Sequence, residues 1–313
     1  MSPPAGQGAP AGRVRVDGRE LRLTHLDRVL WPREGLTKAH LIDYFVRVAP
    51  LMLPHLEGRP LVLTRYPEGI ERPSFYQKQA PWPRPAWVQT ARLAHEERAI
   101  DYVLADSAAT LAWLGNLAAI EIHPWMSRVD DPEHPDLVVI DLDPDPPASF
   151  EESRKVAFWV RQALDRLGVP SVPKLSGATG VHVCIPIRRR YTYEQTSRFA
   201  ATVGRALSEV FPDRVTDERL VRRRHGRVYV DPYQNLRGKT VVAPYSPRPL
   251  PGAPVSMPLT WDELETAQPR AFTIANVTQW LPGRRDPLLE ALGRPCSLDA
   301  FLERVPGLQG TRT

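Results

Sequence analysis

The sequence predicts an α/β or α+β fold built on a mixed sheet, and three observations support this prediction. Short apolar runs rich in β-branched residues, which are typical of strands, alternate irregularly with longer amphipathic stretches that are typical of helices. Several of these amphipathic stretches begin with a helix-capping pattern. No internal repeat is present, and the order of strands and helices follows no fixed period.

The first third of the chain begins with a predicted hairpin that has an Asp-Gly turn. Thr37 is placed to cap a helix that we expect to kink or end near Pro50, and a strand is predicted over residues 61–66. The next segment, residues 67–87, combines five prolines with four aromatic residues. The prolines exclude a regular element there, while the aromatic side chains argue against a merely solvated loop.

The rest of the chain alternates between predicted helices and strands. The expected elements are short helices over 97–104 and 107–114, strands over 118–122 and 137–143, a helix over 151–167, strands over 172–175 and 181–187, a helix over 192–210, a strand over 227–231, a helix that begins at Thr260, and two short helices over 286–304. The helix over 151–167 has the clearest pattern, with an acidic first turn, an apolar face and a glycine at its end.

Length and composition place the chain among ordinary globular proteins. Its 313 residues are 42% hydrophobic and 25% charged, which excludes a mainly disordered chain. No apolar run approaches the roughly 20 residues that span a bilayer, and the two cysteines provide neither a disulfide framework nor a zinc cluster. We therefore expect a cytoplasmic protein that does not bind a membrane. The net charge of +5 permits a polyanionic partner without demonstrating one.

Two aspartates stand at the end of a buried-type strand. Asp141 and Asp143 lie two residues apart, so their side chains point to the same face of the strand, and Pro144 ends the strand directly after them. Both carboxylates can therefore reach one cation, or lie on either side of a pair of cations. The alternative is that they only solvate a strand end before a proline turn.

A second strand, over 227–231, also delivers an aspartate directly before a proline. Carboxylates brought together in this way repel by about 4 kcal/mol per pair at about 4 Å and an effective dielectric constant near 20. A divalent cation removes this repulsion, and hard oxygen ligands select Mg²⁺ or Mn²⁺. Three aspartates that hold two such ions are suited to phosphoryl transfer. Alternatively, Asp231 only caps the end of its strand.

A glycine-containing turn between two predicted strands offers an anion site. Gly177 and Gly180 allow backbone N–H groups to turn toward an anion, and Ser176 adds a hydroxyl, although the GK[ST] ending of a Walker A loop is missing. His182 alternates with apolar neighbours and so faces away from them. His123 stands at the end of another strand. The turn and both histidines are also compatible with a structural hairpin.

Basic and aromatic residues surround these motifs. An arginine-rich run over 222–227 leads into the strand of the third aspartate, and Lys239 and Arg248 follow that strand. A charge run is usually a solvated face, but beside a two-metal site it suits a polyphosphate or a nucleic-acid backbone. Phe75 and Tyr76 have basic neighbours, and this combination of aromatic and basic side chains is suited to binding an unpaired base by stacking. Alternatively, these aromatic residues pack in a core under the long loop.

The motifs occur in the order of a known family. Three of them resemble the successive motifs of the archaeo-eukaryotic primase superfamily: Asp141-Leu142-Asp143, Gly180-Val181-His182 and Val230-Asp231. The flanking segments are more closely similar to one branch of it, the polymerase domain of bacterial ligase D. These segments are residues 26–32, 72–78, 121–125, 174–177 and 231–235. The resemblance runs from about residue 20 to about residue 300.

This resemblance implies a DNA repair polymerase of non-homologous end joining, with a mixed, largely antiparallel central sheet flanked by helices. Such an enzyme extends a primer 3′ end in gaps and at double-strand-break ends, prefers ribonucleotides, and uses two Mn²⁺ or Mg²⁺ ions. Asp141, Asp143 and Asp231 match the metal-binding catalytic aspartates. The residues that match nucleotide-binding positions are His123, Ser176, His182, Lys239 and Arg248. The residues that match DNA-binding positions are Arg28 and Lys38, at the 5′-phosphate across the gap, and Phe75, at the template.

The resemblance also implies partners and a division of the chain. The partners are DNA ends and gapped DNA with a 5′-phosphate, nucleoside triphosphates, a DNA ligase and a Ku-type end-binding protein, in the nucleoid. We expect a disordered tail over 1–12 and a single catalytic domain over 13–305, with an N-terminal part over about 13–115, a catalytic core over about 116–260 and a C-terminal helical part over about 261–305. Without ligase or nuclease motifs, the chain is either a stand-alone polymerase or part of a larger protein.

Other functions stay open on the sequence alone. Paired aspartates with Mn²⁺ also hydrolyse phosphodiesters, so a metal-dependent nuclease is one alternative. A second alternative is a DNA-end-binding module without catalysis, which would use only the basic and aromatic surface. Within the superfamily, the synthesis of primers de novo is a third.

Overall fold

The computed structural model describes residues 12–95, 98–280 and 283–303. The strands are β1 (Gly12–Val16), β2 (Arg19–Leu23), β3 (Val29–Trp31), β4 (Leu36–Thr37), β5 (Leu61–Arg65), β6 (Phe75–Gln77), β7 (Thr90–His95), β8 (Arg98–Val103), β9 (Ala119–Pro124), β10 (Leu137–Pro144), β11 (Val172–Leu175), β12 (Val181–Pro186), β13 (Val215–Thr216), β14 (Val228–Asp231) and β15 (Met257–Pro258). The helices are α1 (Lys38–Leu56), α2 (Ala108–Asn116), α3 (Phe150–Arg166), α4 (Tyr193–Val210), α5 (Trp261–Thr266), α6 (Val277–Trp280), α7 (Pro287–Leu292) and α8 (Asp299–Leu302).

A six-stranded sheet in the order β13-β14-β10-β12-β11-β15 forms the centre of the fold. All of its pairings are antiparallel except the one between β13 and β14. Helices α3 and α4 pack against this sheet through their apolar faces. The predicted mixed, largely antiparallel sheet flanked by helices is therefore confirmed.

A second, five-stranded sheet lies in the N-terminal part of the chain. It has the order β6-β5-β8-β7, and β9 also pairs with β5. Helices α1 and α2 pack against each other, and one continuous cluster of buried apolar side chains extends from Leu21 to Leu302 and includes members of both sheets. Strand β9 belongs to this second sheet and β10 to the central one, so the short segment between them joins the two sheets.

Local sequence signals locate most of the helix starts and the first hairpin. Asp17 and Gly18 form the turn between β1 and β2 with φ values of 48° and 74°, the left-handed region that this turn requires. Thr192 and Thr260 each accept a hydrogen bond from a backbone N–H group of the first helical turn, which confirms the predicted caps. Among the described residues, no helix has the length and apolar character needed to cross a bilayer.

Three expectations about the N-terminal half differ in part from the structure. Helix α1 does not end near Pro50 but continues to Leu56, because Met52 and Leu56 are fully buried beyond the proline and their packing outweighs the lost hydrogen bond. The segment over 67–87 does contain a regular element, the short edge strand β6. Gly12 belongs to β1, so the predicted tail reaches at most residue 11, and residues 1–11 lie outside the described residues.

The predicted helix over 97–104 is a strand. Residues 98–103 form β8, which makes a hairpin with β7, while Glu97 lies outside the described residues. Ile100 and Tyr102 are both buried, two residues apart, and pack with Trp125 in a small apolar cluster of their own. This spacing of two residues is the period of a strand, so tertiary packing overrides the helical pattern.

Candidate active site

Three aspartates lie on one face of the central sheet. In the antiparallel register, Asp141 on β10 is the direct partner of Asp231 on β14 and, on the other side, of His182 on β12. Direct partners in such a pair have Cα atoms about 4.5–5.5 Å apart. Asp143 lies two residues farther along β10, so its side chain points to the same face. The sheet therefore brings together the three carboxylates that the sequence singled out.

The carboxyl groups on this face raise one another's pKa values. Burial, followed by the charges of Asp143 and Asp231, raises the pKa of Asp141 well above its usual range. Burial and the charge of Asp231 likewise raise the pKa of Asp143. The Oδ1 atom of Asp141 is buried and has no hydrogen-bond partner. Either a proton or a cation is needed to stabilise such a group of carboxylates.

The Asp231 carboxylate is held by its own turn. Its Oδ1 atom accepts hydrogen bonds from the backbone N–H of Tyr233 at 2.8 Å and from the Tyr229 hydroxyl at 3.3 Å, and its Oδ2 accepts one from Gln234 at 3.1 Å. Accordingly, no three acidic, histidine or cysteine side chains in the described part of the chain are gathered closely enough to hold a metal ion as they stand. The unpartnered oxygen of Asp141 and the all-carboxylate donor set nevertheless fit a hard divalent cation.

His182, the partner of Asp141 on the side away from Asp231, is almost completely buried. Its Nε2 atom lies 3.3 Å from Asp141 Oδ1, and its Nδ1 atom lies 2.8 Å from the amino group of Lys174, its direct partner on β11. Burial and then the charges of Lys174 and Arg248 lower the pKa of His182 well below its usual value, so the ring is neutral. Burial also lowers the pKa of Lys174, to about 8.

The glycine-containing turn between β11 and β12 packs onto the end of β10. A Cβ atom at Gly180 would lie 2.5 Å from the carbonyl oxygen of Leu142, so this close approach requires glycine. The Ser176 hydroxyl accepts hydrogen bonds from the backbone N–H groups of Ala178 and Gly180, each at 3.1 Å. The sequence predicts that backbone N–H groups of this turn face an anion. These two N–H groups are instead bonded within the turn.

A buried carboxylate, Glu121, contacts two of the predicted nucleotide-binding residues, Arg248 and His123. Arg248 donates from Nε to Glu121 at 2.8 Å and from a terminal nitrogen to the backbone oxygen of Ser176 at 2.7 Å. His123 Nε2 lies 3.7 Å from the same carboxylate. Burial alone would raise the pKa of Glu121, but the hydrogen bond and charge of His123, together with the charge of Arg248, lower it.

Lys239 lies on the other side of the aspartates. It lines a polar cavity of about 280 Å³, together with Arg219, Arg224, Tyr229, Asp231, Tyr233 and Gln234. The Arg224 guanidinium lies 3.8 Å from the ring centre of Tyr229, so one arginine of the basic run reaches this cavity. Another, Arg227, donates to three backbone carbonyl groups and has a structural role.

The predicted DNA-binding residues form a separate group in the N-terminal part. Lys38 is buried and donates to the backbone oxygen of Asn116 at 3.0 Å, and Arg28 pairs with Glu68. Burial, and then the charges of Arg28 and Arg65, lower the pKa of Lys38 to about 8. Three mutually repelling cations of this kind would be stabilised by an anion.

An exposed aromatic pair contacts both this cationic group and His123. Phe75 is 43% exposed, and the guanidinium of Arg65 lies 4.9 Å from its ring centre. The neighbouring Tyr76 makes an edge-to-face contact with His123 at 6.3 Å between ring centres. Its hydroxyl also lies 3.1 Å from that of Thr240. Because these side chains are exposed, core packing does not account for them.

Sequence reasoning missed three residues that hold the site together. Glu121 precedes His123 by two residues, so strand alternation could have placed it beside that histidine. Lys174 meets His182 only through the pairing of β11 with β12, which the sequence does not specify. No local signal identifies Asn235. Its amide group bonds to both the N–H and the C=O of Val139, at 2.9 and 2.7 Å, and thereby completes the edge of β10 just beyond the end of β14.

Comparisons with known proteins agree with this architecture. A family model described as "LigD, primase-polymerase domain" matches residues 37–288. The bifunctional non-homologous end joining protein LigD of Bacillus subtilis is 32% identical over 278 residues, which cover 88% of this chain and 45% of that protein. The multifunctional non-homologous end joining DNA repair protein LigD of Mycobacterium tuberculosis is 34% identical over 282 residues, which cover 88% of this chain and 37% of that protein.

A solved structure shares the same fold. The polymerase domain of Mycobacterium tuberculosis ligase D, in complex with DNA, superposes with a TM-score of 0.82 at 32% sequence identity. The match covers 88% of this chain and 99% of that domain. The chain thus spans less than half the length of the two LigD relatives, and nearly the whole of the polymerase domain.

Proposed function

Because this chain belongs to the LigD primase-polymerase domain family, we propose that it is a DNA repair polymerase of non-homologous end joining. It transfers nucleotides to the 3′ end of a primer in gaps and at double-strand-break ends, with ribonucleotides preferred. The observation that carries this proposal is the pairing of Asp141 with Asp231, which supports a cluster of three carboxylates on one sheet face. Clusters of this kind suit metal-dependent nucleotidyl transfer.

Asp141, Asp143 and Asp231 would hold two divalent cations, Mg²⁺ or Mn²⁺. When bound, these ions lower the pKa of the primer 3′-hydroxyl and neutralise charge on the phosphates of the nucleotide. The three aspartates contribute by binding and positioning the ions, and the Asp231 side chain would exchange its bonds to Tyr233 and Gln234 for a cation.

The polar residues beside this face would hold the triphosphate of the incoming nucleotide. Arg248 and His123 supply donors to phosphate oxygens, and His182 supplies a neutral donor closer to the carboxylates. Ser176 keeps the glycine-containing turn compact against β10. Lys239 adds positive charge from the cavity on the far side of Asp231.

The cationic group around Lys38 and Arg28 would bind the 5′-phosphate on the far side of a gap, while Phe75 stacks against the template. These assignments imply partners that act on the same break: a Ku-type protein that binds the ends, and a ligase that seals the filled gap in the nucleoid. The names of the LigD relatives, which contain the words "non-homologous end joining", support this setting.

One experiment tests the proposal against its alternatives. A labelled primer in a one-nucleotide gap with a 5′-phosphate is incubated with ribo- or deoxyribonucleoside triphosphates and Mg²⁺ or Mn²⁺. We expect the primer to grow by one nucleotide, more efficiently with the ribonucleotide. A shortened primer would instead identify a nuclease. An unchanged primer that is bound tightly without divalent ions would identify an end-binding module, and product from an unprimed single strand would reveal synthesis de novo.

A further inference from the structure

We propose that Lys174 is a positioning residue that fixes the tautomer of His182, so that Nε2 carries the ring proton and is presented to the acidic face. Lys174 lies behind the histidine and does not reach the nucleotide site itself. The inference deepens the proposed function and rests on it only for the identity of the anion that His182 meets.

Two of the three polar atoms around the Lys174 amino group are fixed as hydrogen-bond acceptors, and the third is His182 Nδ1. The carbonyl oxygen of Val242, at 3.1 Å, can only accept. The Ser256 hydroxyl, at 2.6 Å, donates its hydrogen to the Leu175 carbonyl at 2.8 Å and therefore accepts from the lysine. The third neighbour is His182 Nδ1, at 2.8 Å. Lys174 is charged below its pKa of about 8, and an ammonium has three N–H groups and no lone pair, so it donates the third N–H to Nδ1, whose lone pair faces the lysine.

The remaining ring proton must then be on Nε2. A neutral imidazole has one N–H group, and the partner of one nitrogen decides which nitrogen carries it. Nε2 lies 3.3 Å from Asp141 Oδ1 and faces the carboxylates. Lys174 and His182 are only 2% and 4% exposed, so bulk water cannot replace the lysine as the partner of Nδ1.

The tautomer matters because of what His182 faces. Lys174, His182, Asp141 and Asp231 form one row across four neighbouring strands, each residue being the direct partner of the next. An N–H donor at this position attracts an anionic phosphate oxygen, whereas the other tautomer would direct a lone pair toward it. In the family's reaction, Lys174 thus acts on nucleotide binding only through the imidazole.

Nuclear magnetic resonance of the full chain tests the assignment directly. Long-range ¹H–¹⁵N correlation spectra of histidine-labelled protein near neutral pH distinguish the two ring nitrogens, and the signals of His182 are identified by their loss in His182→Gln. We expect a protonated Nε2 and an unprotonated Nδ1 in the wild type. In Lys174→Met we expect a mixture of tautomers. Ser256→Ala removes another neighbour of the lysine and serves as the control, which keeps the wild-type tautomer.

Kinetics provide the second measurement. Lys174→Met is expected to raise KM for the nucleotide about tenfold with a smaller change in kcat, and Ser256→Ala to leave KM near the wild-type value. A proton on Nδ1 in the wild type overturns the inference, and this result does not require the variant to fold. An unchanged tautomer in folded Lys174→Met also overturns it. If the wild-type spectrum agrees but no primer is extended, the proposed function fails and the tautomer assignment stands.

Discussion

Asp141 and Asp231 are direct partners across the antiparallel pair of β10 and β14, and this register determines the chemistry of the face they share. Side chains alternate along a strand, so a slip of one residue would turn Asp231 to the opposite face of the sheet. Two apolar residues that precede it on β14 and point to the opposite face, Val228 and Val230, are buried and oppose such a slip. The packing of the sheet therefore determines the face on which the carboxylates lie, and the turn after Asp231 orients the carboxylate of that residue.

Removal of the third carboxylate is expected to abolish primer extension. We predict that Asp231→Ala loses activity by at least about a thousandfold and binds gapped DNA nearly as well as the wild type, because the aspartate serves the metal ions. Primer extension and fluorescence anisotropy measure the two properties. Asp165→Ala, which removes an exposed carboxylate on α3, is the control and should remain active. Full activity of Asp231→Ala would contradict the metal assignment.

The same cluster is expected to lower the stability of the metal-free protein at neutral pH. The pKa of Asp143 is raised on folding, so its favourable contribution is present in acid and is lost as the pH rises through the folded-state pKa. We predict that Asp143→Asn in EDTA melts a few degrees above the wild type near neutral pH, with a difference that shrinks toward about pH 4. Thermal unfolding measures this.

Addition of Mn²⁺ supplies the control for the comparison of Asp143→Asn with the wild type in EDTA. The ion should raise the Tm of the wild type more than that of Asp143→Asn, since the variant has lost a ligand. A variant that melts at or below the wild type in EDTA at neutral pH would show that the repulsion is not felt in the folded protein.

Glu121 is expected to control nucleotide affinity without contacting the metal ions. Glu121→Gln replaces a charged partner of Arg248 and His123 with a neutral amide, which weakens two charge-assisted contacts. We predict a KM for the nucleotide that rises about tenfold, with a smaller change in kcat. The control is Glu194→Gln, which removes an exposed ion pair with Arg198 on α4. An unchanged KM in a folded Glu121→Gln protein would refute this role.

The preference for a 5′-phosphate is expected to decline in alkaline solution. Lys38 has a pKa of about 8, so its ammonium is charged below that pH and becomes neutral above it. We predict that the affinity ratio between phosphorylated and unphosphorylated gapped DNA falls between about pH 7 and about pH 9.5. Lys38→Met should reduce the ratio throughout, whereas Lys38→Arg should remove the pH dependence, because a guanidinium stays charged. Equal affinity of the wild type for both ends at pH 7 would refute the role of this cationic group.

Local signals in the sequence predict most of the catalytic half of the fold. The capping pattern at Thr192, the strand ends at Asp143 and Asp231, and the turn at Gly180 each depend on neighbouring residues, and each lies where it was predicted. The prediction of a helix in place of β8 is wrong because the strand depends on a contact with a distant part of the chain. Tyr102 is buried against Trp125, a contact between residues far apart in the sequence, and periodicity within one segment does not contain that information.

The same distinction applies to the candidate site. The three aspartates could be proposed from strand alternation and a family resemblance. The residues that face Asp141 across the sheet, and the positions of the buried side chains of Lys174 and Glu121, depend on which strands become neighbours. Asn235 is the extreme case, because its amide acts on a strand nearly a hundred residues earlier in the chain, at Val139.

The closure of β10 by the Asn235 amide has a consequence for the backbone that follows Asp231. Since one side chain completes the hydrogen bonding of that edge, the backbone after Asp231 is released from strand geometry. Pro232, which lacks an N–H group, can follow the aspartate directly, because no sheet hydrogen bond is required of it there. One amide thereby substitutes for a further residue of the strand, and the chain can leave the sheet immediately after its last acidic residue.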